Sequence, residues 1–368
     1  MHVAAFLLGL ALLLNTLWEA FETIILPRTV TRSNRVTRFL YVTGWRTWVF
    51  IAKRQRTEAR TESLLGYFGP MSLPLLLGFW AISLVFGFAL MQWGINMAVS
   101  SPEPPTFVTY LYYSGITFFT VGFGDVTSKG GEGRLLSVFE GGVGIGFLAI
   151  IIGYLPVLYQ AFSRREVSIS MLDARAGSPP SATEMLRRYQ ANDDLKAVPQ
   201  LLRDWERWAA ELLESHLSYP VLAYYRSQHD RESWLSALTM ILDTCALIMV
   251  GVDSVPSAQA KLTFAMARHA IIDISLIFGA DPVEEDGNRL PPETLKRIRD
   301  TLTAAGIPLQ SGDAADTELA DIRATYEPFV IALSRRFLFP LPPWVADPSA
   351  VDNWVTSAWQ SIDHRHFT

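Results

Sequence analysis

Six consecutive residues, Thr120-Val121-Gly122-Phe123-Gly124-Asp125, carry the most specific chemistry in the chain. Glycines at 122 and 124 let alternate residues take positive φ, so that consecutive carbonyls turn to one side. A strand of carbonyl oxygens arranged in this way replaces the water shell of a dehydrating cation. The Thr120 hydroxyl adds an oxygen at one mouth, while Val121 and Phe123 are expected to point back and brace the strand. One strand cannot encircle an ion, so the chemistry requires a symmetric ring of copies. Non-helical backbone at membrane depth must be buried in protein or line an aqueous cavity, and a pore loop does the second.

The flanking elements fit that setting. Residues 71–98 contain no Asp, Glu, Lys or Arg, and residues 135–160 are apolar apart from Glu140. Each is long enough for a bilayer core, which takes about 20 helical residues. Between them, Pro104-Pro105-Thr106 signals a helix start, followed by an apolar and aromatic stretch over 107–119 that leads into the six residues. A third apolar run covers 3–18 and continues to Leu26, with Glu19 and Glu22 near its end. No basic segment precedes this run and no small-residue cleavage site follows it, so it is expected to be a retained transmembrane helix. Basic residues set the orientation. They crowd the stretch from Arg28 to Arg60 and recur at Arg164 and Arg165, whereas the loop carrying the six residues has only Lys129 and Arg134. The N-terminus and the loop are therefore expected outside, with the C-terminal part in the cytoplasm.

Within the basic stretch, Arg35, Arg38, Arg46 and Lys53 share one helical face, with Tyr41, Trp45, Trp48 and Ile51 roughly opposite. That pattern predicts a helix in the membrane interface. A linker helix packed on the protein's own cytoplasmic domain is the plainer alternative.

Thr120–Asp125, preceded by a short aromatic helix and flanked by two spans, resembles the filter of two-transmembrane potassium channels, most closely bacterial members with Phe in place of Tyr. The resemblance covers roughly residues 70–160. It implies a homotetramer around one pore, passing K⁺ as permeant ion without another cofactor, with ion ligands at Thr120, Val121, Gly122, Phe123 and Gly124. Asp125 would hold the filter's outer mouth. Tyr112 and Tyr113 stand where many members have a Trp pair, Ile116 where some place a glutamate, and Phe119 where a Thr is frequent. Filter stability, rather than selectivity, is the property these departures put in question.

Glu140 bears on that question. A carboxylate inside a spanning helix costs roughly 2.5–3.5 kcal/mol on insertion scales, so it needs a partner or a cavity. Ser114, Thr117 or a tyrosine hydroxyl behind the filter is within expected reach, giving Glu140 and Thr117 a supporting role; a bonded core residue without effect on conduction is the alternative. Gly144 matches the family's gating hinge by spacing, although close helix packing explains the neighbouring glycines equally well. Pro156 predicts a kink towards the cytoplasmic end.

The chain has 368 residues, 50% hydrophobic and 18% charged, with formal net charge -5. Residues 1–160 hold 11 basic and 8 acidic groups, and the remainder holds 20 and 28, which is no nucleic-acid signature. The single cysteine, Cys245, excludes an internal disulfide framework and reads as a buried core thiol. The expected fold class is an all-α membrane protein: a tetrameric pore-loop module plus an α-helical cytoplasmic domain. Its divisions are a transmembrane helix over 1–27, a basic interfacial segment over 28–69, the pore module over 70–163, a linker over 164–180 and the helical domain over 181–368. Proline and glycine breaks place helices in that domain at 182–190, 193–217, 231–251, 256–278, 291–305, 316–337 and 348–362.

No nucleotide-binding pattern is visible there. The acidic segment from Asp281 to Glu293 lacks calcium-loop spacing. His216, His229 and His269 lack metal-ligand spacing, and His269 reads as a core histidine. No nucleophile–base set suggests an enzyme. The expected function is passive K⁺ conduction in a bacterial plasma membrane, gated at the inner helices and modulated by the helical domain, in contact with lipid and with an unidentified regulator. The alternative is a less selective cation channel whose helical domain chiefly serves assembly or docking.

Overall fold

The computed structural model describes residues 2–26, 36–228, 231–252, 254–283, 288–347, 349 and 353. The chain is an all-α membrane protein, with one small two-stranded sheet among the described residues. Its contacts separate into two units, Met1–Gln160 and Ala161–Thr368.

In the first unit, α1 (His2–Ala20) ends in a π turn over Phe21–Ile25. It lies along α3 (Glu58–Gly94), and glycines set the approach: a Cβ on Gly9 would stand 2.5 Å from the Gly87 carbonyl oxygen, and one on Gly94 2.6 Å from the Phe6 nitrogen. The order of these contacts makes the two helices antiparallel. Between apolar helices in lipid, association depends on close backbone packing, which small residues permit. Glu19, in the first apolar run, is buried with a specific task. Its Oε1 accepts from the Val36 N–H at 2.7 Å, and its Oε2 from the Thr37 N–H at 3.0 Å and the Thr37 hydroxyl at 2.8 Å. The carboxylate thus satisfies orphan donors at the start of α2 (Val36–Ala52), where the helix dipole favours negative charge.

The aromatic face of α2 does not lie open to lipid as expected. Tyr41, Trp45 and Trp48 gather round Phe68 of α3, with ring centroids 6.3, 5.0 and 6.1 Å away, and Trp48 Nε1 donates to the Leu64 carbonyl at 2.8 Å. A partner on α3, invisible to the periodicity of α2 alone, takes that face. Arg38, Arg46 and Lys53 are exposed, whereas Arg35 falls outside the described residues. Helix α3 begins 13 residues before the apolar run at Met71 and continues through Pro70 and Pro74.

A short antiparallel pairing of β1 (Val99–Ser100) with β2 (Thr127–Ser128) closes the loop that contains α4 (Phe107–Phe118). The last helix of this region, α5 (Gly131–Ala176), is one continuous element. Much of the expected linker, from 164 to Ala176, is therefore helical. Ile169, Leu172 and Ala176 bury one face of it, and Gly177 at φ 84° starts the Gly-Ser-Pro-Pro turn.

The second unit takes in this C-terminal stretch of α5, followed by α6 (Ala182–Ala191), α7 (Val198–Ser218), α8 (Trp234–Gly251), α9 (Ser257–Phe278), α10 (Pro292–Ala304), α11 (Asp313–Ala324) and α12 (Glu327–Phe337). Helix α8 is long and apolar enough to cross a membrane, yet nearly all of it is packed inside the unit, Cys245 included. Asp243 is accommodated there by Arg289 at 2.8 Å and by the Tyr326 hydroxyl at 2.6 Å. Arg289 also reaches Glu327 at 3.0 Å. Arg289 belongs to the acidic segment whose spacing failed for calcium, and it serves the core; residues 284–287 of that segment lie outside the described residues.

The helix expected over 316–337 is two helices. The break falls at Thr325-Tyr326, where Pro328 suits the first turn of a new helix but not a helix interior. Of the helix expected over 348–362, only Ser349 and Asn353 are described. His269 is not a core residue: its side chain is 60% exposed and stands 3.6 Å from Asp273. Among the described residues, His216 is the buried histidine, with Nδ1 on the Leu212 carbonyl at 2.7 Å and its ring 5.0 Å from Trp234. Burial and nearby Arg165 push its pKa down to about 3, so it is neutral.

Candidate functional site

The pore-loop segment is built from its helix outward. After Pro104 and Pro105, the Thr106 N–H donates to the Thr109 hydroxyl at 3.0 Å, which ties off the start of α4. The Tyr110 hydroxyl donates to the Met97 carbonyl at 2.9 Å and joins the helix to the preceding loop. At its other end α4 unwinds in tight steps. Thr120 N–H donates to the Thr117 carbonyl at 3.1 Å, and the N–H groups of Val121 and Gly122 both turn to the Ile116 carbonyl, at 2.8 and 3.3 Å. Ile116 thus supports the segment through its backbone, while its side chain is buried behind it.

From there the backbone alternates. Thr120, Gly122 and Gly124 have φ of 57°, 59° and 80°. The two glycines match the sequence expectation, but the β-branched Thr120 does not. A non-glycine residue in that region costs about 1–3 kcal/mol and persists where surrounding structure over-determines it. Nothing in the sequence signals this strain.

Residues 119–125 are all exposed in the single chain. Val121 and Phe123 are 50% and 71% exposed, so they do not brace the segment within their own protomer as expected. Among the described residues, little of the same chain covers them.

Polar side chains anchor the surroundings. The Tyr112 hydroxyl donates to Asp125 Oδ2 at 2.9 Å. Tyr113 and Ser137 of α5 are joined at 2.7 Å; since the Ser137 proton goes to the Gly133 carbonyl at 2.8 Å, Tyr113 is the donor. Glu140 is fully buried and meets Ser114, one of its expected partners, whose hydroxyl also lies 2.8 Å from the Val85 carbonyl. Its second partner, Gln92 Nε2 at 2.6 Å, was not legible, because 48 residues separate the two in the chain. Thr117 contributes its carbonyl to the turn below Thr120, and a Cβ on Gly141 would stand 3.9 Å from that oxygen.

Gly144 lies where α5 crosses the end of α4. A Cβ there would fall 1.9 Å from the Phe118 carbonyl oxygen, so glycine is required by close approach. Helix α5 is uninterrupted at both Gly144 and Pro156.

These features define a membrane protein in which a short helix and an irregular, exposed backbone segment sit between two apolar helices. Residues 75–160 match the Ion_trans_2 family, described as an ion channel, which covers less than half of the chain. Over 194 residues the chain is 25% identical to the uncharacterized membrane protein YdjJ of Bacillus subtilis (strain 168), an alignment covering 51% of this chain and 55% of that protein. The chain thus spans about half the length of this relative. No solved structure matches.

Proposed function

We propose that the chain is the subunit of a homotetrameric potassium channel, with Thr120, Val121, Gly122, Phe123 and Gly124 supplying the ion ligands. The carrying observation is the alternating positive φ at 120, 122 and 124, directly between α4 and α5. This is the backbone condition for successive carbonyls to face one axis. The exposure of the whole segment supports the ring, since neighbouring copies supply the missing wall. The match to an ion-channel family over residues 75–160 supports passive ion conduction.

On this reading the N-terminus lies outside, the second unit is cytoplasmic, and the exposed Arg38, Arg46 and Lys53 face lipid headgroups on the inner side of a bacterial plasma membrane. Gating takes place at the inner helices formed by α5, and the helical unit modulates it through the same helix.

Gly122→Ala tests the ligand strand. A Cβ at φ 59° costs about 1–2 kcal/mol, concentrated on backbone that must hold an ion. The expected outcome is loss of K⁺ flux from proteoliposomes with oligomers recovered intact; flux equal to wild type would remove the strand from the conduction path.

A further inference from the structure

Gln92 of α3, Ser114 of α4 and Glu140 of α5 meet in a site closed to solvent, each residue 0% exposed. Their contacts form a chain of four groups: Gln92 Nε2 on Glu140 Oε2, Glu140 Oε1 on the Ser114 hydroxyl, and that hydroxyl on the Val85 carbonyl. Gln92 supplies the hydrogen for the first link. The other two are oxygen–oxygen contacts, and each needs a hydrogen of its own. A serine hydroxyl has one, and a backbone carbonyl has none. If Glu140 were ionised, one oxygen pair would face another without a proton between them. One more hydrogen is required, and the carboxyl is the only group in the chain able to carry it.

We propose that Glu140 is held as a neutral carboxylic acid, donating through Oε1 to Ser114, and that this three-helix clamp positions α4 under the filter. The proton inventory then closes: Gln92 donates to Oε2, Glu140 donates to Ser114, and Ser114 donates to Val85. About one turn of α4 separates Ser114 from the end of the helix at Phe118, where Gly144 fixes the next contact with α5. The clamp and the glycine crossing therefore hold the pore helix from the same side. Glu140 acts through α4 and touches no ion, which makes it a positioning residue.

The inference about α4 rests on the proposed channel function; the inference about the proton does not. A glutamine is the conservative replacement, since its Oε1 accepts from Gln92 and its Nε2 donates to Ser114. Infrared difference spectra of full-length wild type against Glu140→Gln, at neutral pH, read the carboxyl directly. A protonated carboxyl band that shifts on deuterium exchange and vanishes in the variant is expected; an ionised carboxylate band in its place overturns the neutral acid. In bilayers, Glu140→Gln should keep the wild-type sustained current. Ser114→Ala and Glu140→Ala, recovered as intact oligomers, should lose it by about tenfold, the scale of an unmade buried hydrogen bond. Wild-type current in Ser114→Ala overturns the positioning role, even if Glu140→Ala fails to fold. Should wild type itself not distinguish K⁺ from Na⁺, the potassium-channel reading falls while the infrared band still decides the clamp.

Discussion

Gly144 shows what a single residue decides here. Its spacing after Thr120–Asp125 suggests a hinge, and its geometry gives a reason that holds whether or not the helix bends. A Cβ would collide with the Phe118 carbonyl, while Gly142 and Gly146 have open space around theirs. Overpacking commonly costs about 1–3 kcal/mol, and here the obstacle is backbone that cannot swing away. Gly144→Ala is therefore expected to lower thermal stability in detergent and to abolish flux, with Gly142→Ala close to wild type in stability. Equal melting of the two variants would contradict the close-approach account. Residue-scale features were unequally legible in the sequence. The glycine positions at 122 and 124 and the start of α4 follow from local rules, and Ser114 was one of several partners expected for Glu140. Thr120 at positive φ, Gln92 on Glu140 and Glu19 at the start of α2 do not, because each depends on a partner or a strain that tertiary structure supplies.

At the level of elements, the apolar runs and proline breaks announced most helices, and errors gathered where composition hid continuity. Residues 164–176 look like a polar linker, yet their apolar positions keep the helical period, so α5 runs on to Gly177. This extension brings Glu166 and Asp173 of α5 towards Glu232, which precedes α8. Both Glu232 carboxyl oxygens are closed off without a well-formed hydrogen bond. Burial, with Asp173 and Glu166 nearby, pushes its pKa up to about 8 from the usual 4.5, against a weaker opposing pull from Asn353. A raised folded-state pKa means that the native protein holds a proton the unfolded chain releases. The associated stability is fully present below the unfolded value of 4.5 and is lost as pH rises through about 8. Thermal unfolding of the full-length chain in detergent should show falling stability across that window, and Glu232→Gln should flatten the slope. An unchanged slope in the variant would remove Glu232 as its source.

For the whole molecule, the sequence made the class plain: apolar spans, a re-entrant aromatic helix and a helical C-terminal part. It did not reveal that α1 locks onto α3 through Gly9, Gly87 and Gly94, since glycines in an apolar run carry no address. Four copies of Thr120–Gly124 would form a ring of carbonyls selective for K⁺. The most direct test is the reversal potential of the purified full-length protein in a planar bilayer with K⁺ on one side and Na⁺ on the other. A reversal potential close to the K⁺ equilibrium value is the predicted result, and one at zero, from equal permeability to the two ions, would contradict it.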